Sequence, residues 1–203
     1  MEEILWHRIF EMAKEKNTIL VFSAGNDNVV SYLNPQNRPD SIISVTAISP
    51  QYEQAIFNEQ GFGSDYGLGS TIASPGMEIF STMPPNTFGM MQGTSQAAPI
   101  VAGTVALLKS VKKGLTASEA ISILRKSGRT LKNKKLGPLV QADRALLLLK
   151  TGNVPQDNDG TSPEEVGENT NYDDIFRQIR EHQRAIGNLI EQLPPEERSK
   201  VEN

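Results

Sequence analysis

The sequence predicts an α/β fold around a mostly parallel sheet, and three observations carry that prediction. A charged, amphipathic segment at residues 2–16 runs directly into a continuous apolar run, TILVFSAG, at 18–25. A second continuous apolar run, SIISVTAI, follows at 41–48. Strands without polar alternation are strands covered on both faces, as in a parallel sheet between helices. The third observation is the segment from Thr94 to Lys109, apolar on nearly every side, which predicts a deeply buried helix.

The elements follow in order. Ile4, Leu5, Ile9, Met12 and Ala13 share one face of the first helix, and Asn17 closes it. The strand at 18–25 ends in glycine, and turn residues (Asn34-Pro35, Arg38-Pro39) separate it from the strand at 41–48. Between 52 and 92, short strand-like pieces (QAIF, STIAS, EIFSTM) alternate with Gly and Pro. TASEAISILRKSG at 116–128 is an amphipathic helix with Thr116 as cap, Glu119 as its capping-box partner and Gly128 as its stop. VQADRALLLLK at 140–150 is the last helix of this unit.

A composition shift near residue 150 marks a boundary. Residues 1–150 carry 15 Lys/Arg and 12 Asp/Glu (net +3), and 151–203 carry 5 and 12 (net −7), which sum to the chain's −4. Residues 151–171, rich in Gly, Pro, Asn and acid, read as a flexible acidic linker. Tyr172, Ile175, Ile179, His182, Ile186, Leu189 and Leu193 then recur at intervals of three and four, a heptad seam ended by Pro194-Pro195. The organisation expected is therefore a unit at 1–150, a linker at 151–171, an amphipathic helix at 172–193 that calls for a helix partner, and a tail at 194–203.

Several chemistries are excluded. The chain has no cysteine, so thiol nucleophiles, disulfides and cysteine-bound zinc are ruled out. The basic stretches Lys112-Lys113 and Lys132–Lys135 are short loop ends, and nucleic acid is not an expected partner. No apolar run approaches the ~18 residues of a membrane span, and MEEILWHRIF lacks the basic start of a signal peptide. Asp157-Asn158-Asp159-Gly160 is not a calcium loop, because the frame puts Pro155 and Val166 at its first and twelfth positions. Gly61, Gly63, Gly67 and Gly69 fit no phosphate-binding spacing and read as turn glycines. No metal site or cofactor is expected.

The chemistry concentrates at Gly93-Thr94-Ser95-Gln96-Ala97-Ala98-Pro99, which opens the apolar helix. With Thr94 as cap, Ser95 stands in the first turn beside free backbone N–H groups and the positive end of the helix dipole. A serine there is placed to attack a carbonyl whose oxyanion those groups stabilise. Taken alone, Ser95 equally fits an ordinary buried-helix N-terminus. Ser23-Ala24-Gly25-Asn26 stands where the first apolar strand ends, at the edge where α/β sheets bind ligands. Asn26 can point a side-chain N–H into such a site, or it can be a turn asparagine tolerating a left-handed conformation.

Together these segments resemble the subtilisin-like serine proteases, or subtilases. A GTSxAxP segment there holds the nucleophile and an AGN segment the oxyanion-hole asparagine. The matches are Ser95 and Asn26, 69 residues apart, and Ala73-Ser74-Pro75-Gly76 resembles the family's APG turn. Ile100, where many members have histidine, is a mild departure. The resemblance covers about residues 1–150, as the C-terminal half of a catalytic domain. It implies a three-layer α/β fold around a parallel sheet, incomplete at its N-terminal end, and hydrolysis of a peptide or protein substrate by acyl transfer. Ser95 would be the nucleophile, Asn26 an oxyanion donor, and Ser23, Ala24 and Gly25 one wall of the peptide cleft.

The family's acid and base segments, which precede the asparagine, find no counterpart in the 25 residues before Asn26. His7 lies mid-helix with no glycine after it, His182 lies in the tail seam, and Asp159-Gly160-Thr161 lies in a polar linker. Three expectations follow: the Asp and His precede this stretch in the gene, a second chain supplies them, or the half-fold is a non-catalytic binding module. As it stands, the chain is expected to be inactive. Secretion or the cell envelope is the family expectation for its location.

Overall fold

In chain order the elements are α1 (Glu2–Glu15), β1 (Leu20–Ser23), β2 (Ile42–Ile48), β3 (Ile72–Pro75), β4 (Ile79–Met83), β5 (Thr87–Met91), α2 (Thr94–Val111), α3 (Ala117–Ser127), a 3-10 turn at Lys134–Leu136, and α4 (Ala142–Thr151). The computed structural model describes residues 2–30, 42–67 and 71–153, and the linker and tail expected at 151–203 lie outside them except for 151–153. The chain divides into two compact units. The first, Met1–Ser81 with Gly89–Gly160, holds the sheet and every helix named above. Of the second, the described part is Thr82–Phe88, where the Thr87 hydroxyl donates to the Met83 carbonyl at 3.2 Å.

All seven residues of β2 are buried, because β2 is the middle strand of a parallel sheet of order β1-β2-β3. Its side chains alternate between two cores. Ile43, Val45 and Ala47 join Ala97, Val101, Val105 and Leu108 of α2, Leu124 of α3 and Ala145 of α4. Ile48 joins Ala73, Leu131, Leu136 and Leu139, and the Thr46 hydroxyl donates to the Leu136 carbonyl at 2.6 Å. β1 alternates likewise: Val21 packs into the α2 core, and Phe22 meets Trp6 of α1 edge-on, with ring centroids 5.8 Å apart. The result is the three-layer α/β arrangement expected. Helices α2, α3 and α4 cover one face, while α1 and the 131–139 segment cover the other.

The elements depart from expectation in five places. β1, expected to be covered on both faces, is only partly buried with Ser23 exposed, because it stands at the edge of the sheet. Met12, assigned to the inner face of α1, is 61% exposed, whereas Ala13 is buried. Residues 54–57 make isolated bridges through Gln54 and Ile56 and form no strand. The strand β5 was not anticipated; it pairs with β4, and its residues TFGMM are mostly exposed, so no buried apolar pattern announces it. Helix α2, expected to be deeply buried, buries Val101, Val105 and Leu108 but leaves Ile100, Leu107 and Val111 exposed, since the sheet and α4 meet only one side of it.

Candidate active site

The N-terminus of α2 is held at the carboxyl ends of the parallel strands by the turn after β3. Gly93 N–H donates to the Gly76 carbonyl at 2.8 Å, and Gly76 N–H donates to the Ile48 carbonyl at 3.1 Å. Gly76 must be glycine, since a Cβ there would lie 2.4 Å from the Ala47 Cβ and 2.9 Å from the Gly93 carbonyl oxygen. Gly93 takes φ 144°, a backbone conformation that L side chains rarely adopt, and so delivers the chain into the helix.

The first four N–H groups of a helix lack intrahelical partners. Here Thr94 N–H donates to Asn26 Oδ1 at 3.0 Å. Gln96 and Ala97 N–H both reach the Gly93 carbonyl, at 3.1 and 3.3 Å. The N–H of Ser95 has no acceptor among the described residues. Ser95 itself is exposed. Thr94 was expected to cap the helix, but the cap residue is Gly93, with no side-chain cap bond. Thr94, fully buried, turns its hydroxyl to the strand end instead. It donates to Asn26 Oδ1 at 2.9 Å and accepts from Gly25 N–H at 3.3 Å.

The two bonds that Thr94 donates to Asn26, from its N–H and from its hydroxyl, orient the asparagine. A backbone N–H can only donate, so the atom facing Thr94 must be the amide oxygen, and Nδ2 with its two N–H groups points away from it. Asn26 Nδ2 has no acceptor among the described residues. The two uncommitted donors, Nδ2–H of Asn26 and N–H of Ser95, thus belong to residues linked through Thr94. Both residues are exposed at one helix N-terminus, where the dipole favours negative charge.

The strand end beside them is built from backbone. Ala24 N–H continues the ladder to the Val45 carbonyl at 2.9 Å. Gly25 takes φ 115°, and its carbonyl accepts from Asp65 N–H at 2.9 Å. Ser23 is exposed, while Ala24 and Gly25 are partly buried. Asp65 escaped the sequence reading, because an aspartate in a glycine-rich loop carries no pattern that separates it from a solvated turn. His7 is exposed on α1, and no base is hydrogen-bonded to Ser95 among the described residues. His182 and Asp159 lie outside the described residues, and among those described no cluster of metal-ligating side chains occurs.

A serine and an asparagine joined at the end of a parallel sheet have a family to match. The model of the "Subtilase family" of peptidases matches residues 3–163. This chain belongs to the subtilase family. Its subtilase relatives include subtilisin DY of Bacillus licheniformis, 33% identical over 109 residues that make up 54% of this chain and 36% of the relative. Subtilisin-like protease 2 of Plasmodium falciparum is 34% identical over 151 residues, 68% of this chain and 11% of the relative. Among solved structures, one of proteases from Pseudoalteromonas arctica superposes with a TM-score of 0.60 at 29% identity, covering 69% of this chain and 45% of that one. The prenylagaramide maturation protease PagA gives 0.57 at 25% identity, covering 70% and 55%. This subtilase chain therefore spans about a third or less of these curated relatives and about half of the matched structures.

Proposed function

We propose that this chain carries the nucleophile and the oxyanion hole of a subtilisin-like serine endopeptidase. One observation carries the reading: Thr94 holds Asn26 by its oxygen and so leaves Asn26 Nδ2 uncommitted, as is the N–H of Ser95, the next residue after Thr94. Ser95 Oγ attacks the peptide carbonyl carbon while its proton passes to a base. The negative charge that develops on the carbonyl oxygen receives the two N–H groups, and the helix dipole adds to them. Collapse expels the amine, which takes up the proton held by that base, and leaves an acyl group on Ser95; water then attacks it, releasing the acid and restoring the Ser95 hydroxyl. Ser23, Ala24 and Gly25 line one side of the peptide cleft.

The base and its acid partner, by the family's pattern, belong to a part of the catalytic domain that precedes Asn26, joined in cis or supplied by another chain. Two features support such a part. β1 has no strand partner on its outer edge among the described residues, and α2 exposes Ile100, Leu107 and Val111. The seam at 172–193 is the remaining candidate for a partner helix. No helix among the described residues is long and apolar enough to cross a membrane. A relative is named an extracellular basic protease, and we place this protein outside the cell or at its envelope by that likeness.

Peptide hydrolysis by the purified chain, alone and after addition of the preceding half of the domain, tests the reading. The chain alone is expected to be negligible, since loss of the histidine costs about a million-fold in turnover in subtilisin, itself a member of this family. The completed enzyme is expected to turn over, and Ser95→Ala to abolish it. Asn26→Leu is expected to cut turnover about 100- to 1,000-fold at a nearly constant Michaelis constant, the loss found for such a donor in subtilisin. Normal rates from the chain alone, abolished by Ser95→Ala, would overturn the need for a missing base. Unchanged turnover in Asn26→Leu would make Asn26 a turn residue.

A further inference from the structure

Asp65 is the one buried charged residue among the described residues, 7% exposed, and nothing in the chemistry above uses it. Its surroundings show what it does. Oδ1 accepts from Asp27 N–H and from Val29 N–H, each at 3.0 Å, the two amides just beyond Asn26. Oδ2 occupies the space where Gly25 would carry a side chain: a Cβ there would lie 2.2 Å from it. The backbone of Asp65 adds a third hold, its N–H donating to the Gly25 carbonyl at 2.9 Å. Gly63 N–H donates to the Asn26 carbonyl at 3.1 Å, and Gly63 accepts from Asn28 N–H at 2.9 Å.

The loop that carries Asp65 is itself tied to the sheet. Ser64 Oγ accepts from Ala47 N–H of β2 at 2.8 Å and donates to the Asp65 carbonyl at 3.0 Å. Gln54 Nε2 bridges the Ser64 carbonyl and Asn28 Oδ1, each at 2.7 Å. The turn bearing Asn26 is therefore gripped from two sides, by Thr94 on the side chain and by Asp65 on the backbone either side of it. A buried carboxylate oxygen serving two amides holds that backbone, since letting go of them would leave the acceptor unpaired away from water.

We propose that Asp65 is a positioning residue for Asn26: by accepting two amides on Oδ1 it fixes the turn from which the asparagine presents Nδ2, without meeting substrate itself. The proposal rests on Asn26 being the oxyanion donor. Its test uses the full chain, labelled for amide exchange and for the Asn26 side-chain amide signals, with kinetics on the completed enzyme.

Asp65→Ala is expected to speed exchange at Asp27 and Val29 about tenfold or more and to shift the Asn26 side-chain signals. Exchange at Val45 and Leu108 is expected to stay unchanged, and turnover to fall at constant Michaelis constant. Asp65→Asn keeps an acceptor oxygen and is expected to restore all three readouts. Unchanged exchange at Asp27 and Val29, or undisturbed Asn26 signals, overturns the proposal. If Asp65→Ala loses protection at Val45 and Leu108 as well, Asp65→Asn decides. Native Asn26 signals and protected Asp27 and Val29 then support the proposal, and their loss over an intact core overturns it. Asn26→Leu separates the two levels: full turnover there refutes the donor role, while the exchange data still judge Asp65.

Discussion

At the scale of single residues, the site depends on small groups held at close range. Thr94 contributes two bonds to Asn26 Oδ1, one from its N–H and one from its hydroxyl. Thr94→Val keeps the first and removes the second. A net hydrogen bond is worth about 0.5–1.5 kcal/mol, so turnover of the completed enzyme is expected to fall about two- to tenfold. In Asn26→Leu the same change is expected to have a smaller effect, because the bond to Asn26 is already gone and only the contact with Gly25 N–H is left to lose; fully additive losses would show that Thr94 acts through Gly25 and not through Asn26. Gly76→Ala is expected to lower stability by about 1–3 kcal/mol, seen as a lower denaturant midpoint, since its Cβ would meet Ala47 at 2.4 Å. Ser95 and Asn26 were legible because their segments have a fixed local grammar. Thr94 was read as a helix cap because in sequence its hydroxyl competes only with local groups, and Gly25 and Asn26 lie 69 and 68 residues away.

At the scale of elements, local signals served best where the element satisfies itself. Helix α3 is the clearest instance: Thr116 accepts from Glu119 N–H and Glu119 accepts from Thr116 N–H, the reciprocal box read from the sequence. Thr116→Ala is expected to cost about 1 kcal/mol, measurable by urea unfolding. The hydrogen bond from Lys112 at 2.7 Å, followed by the Thr116 N–H, holds the Glu119 carboxyl down from its ordinary 4.5 to about 2. A depressed carboxyl stabilises the fold above its unfolded value and loses that contribution as pH falls through its folded one. The stability difference between the native chain and Glu119→Gln is therefore expected to be full above about 4.5 and to vanish as pH falls toward 2. A difference constant from pH 6 to pH 2 would show that the charge on Glu119 is not what matters. β5 had no such local signal, since its partner is another strand and its side chains face outward.

At the scale of the molecule, the fold presents a packed core and an open apolar side. Ile43, Val45, Val101, Leu108 and Leu124 are fully or almost fully buried. Ile100, Leu107 and Val111 lie on the other side of the same helix and are exposed. A solvated apolar face on a helix this apolar is expected to bind a hydrophobic dye while core amides such as Val45 stay protected. Leu107→Gln and Val111→Gln together are expected to reduce the binding without loss of core protection. Dye binding untouched by those changes would place the exposed apolar surface elsewhere.

By itself the sequence determined the α/β class, the places of β1 and β2 and the capped helix, and it singled out Ser95 and Asn26 as candidates. Each is written in periodicity, capping chemistry or a short segment whose backbone needs are local. Only the tertiary structure decided which side of α2 is covered, which atom of Asn26 faces inward, and that Asp65 grips the turn beside it. The contacts that hold Asn26 and its turn join residues 36 to 69 positions apart, and no local pattern encodes them. A side chain's role there depends on which distant backbone groups the fold brings within hydrogen-bonding reach.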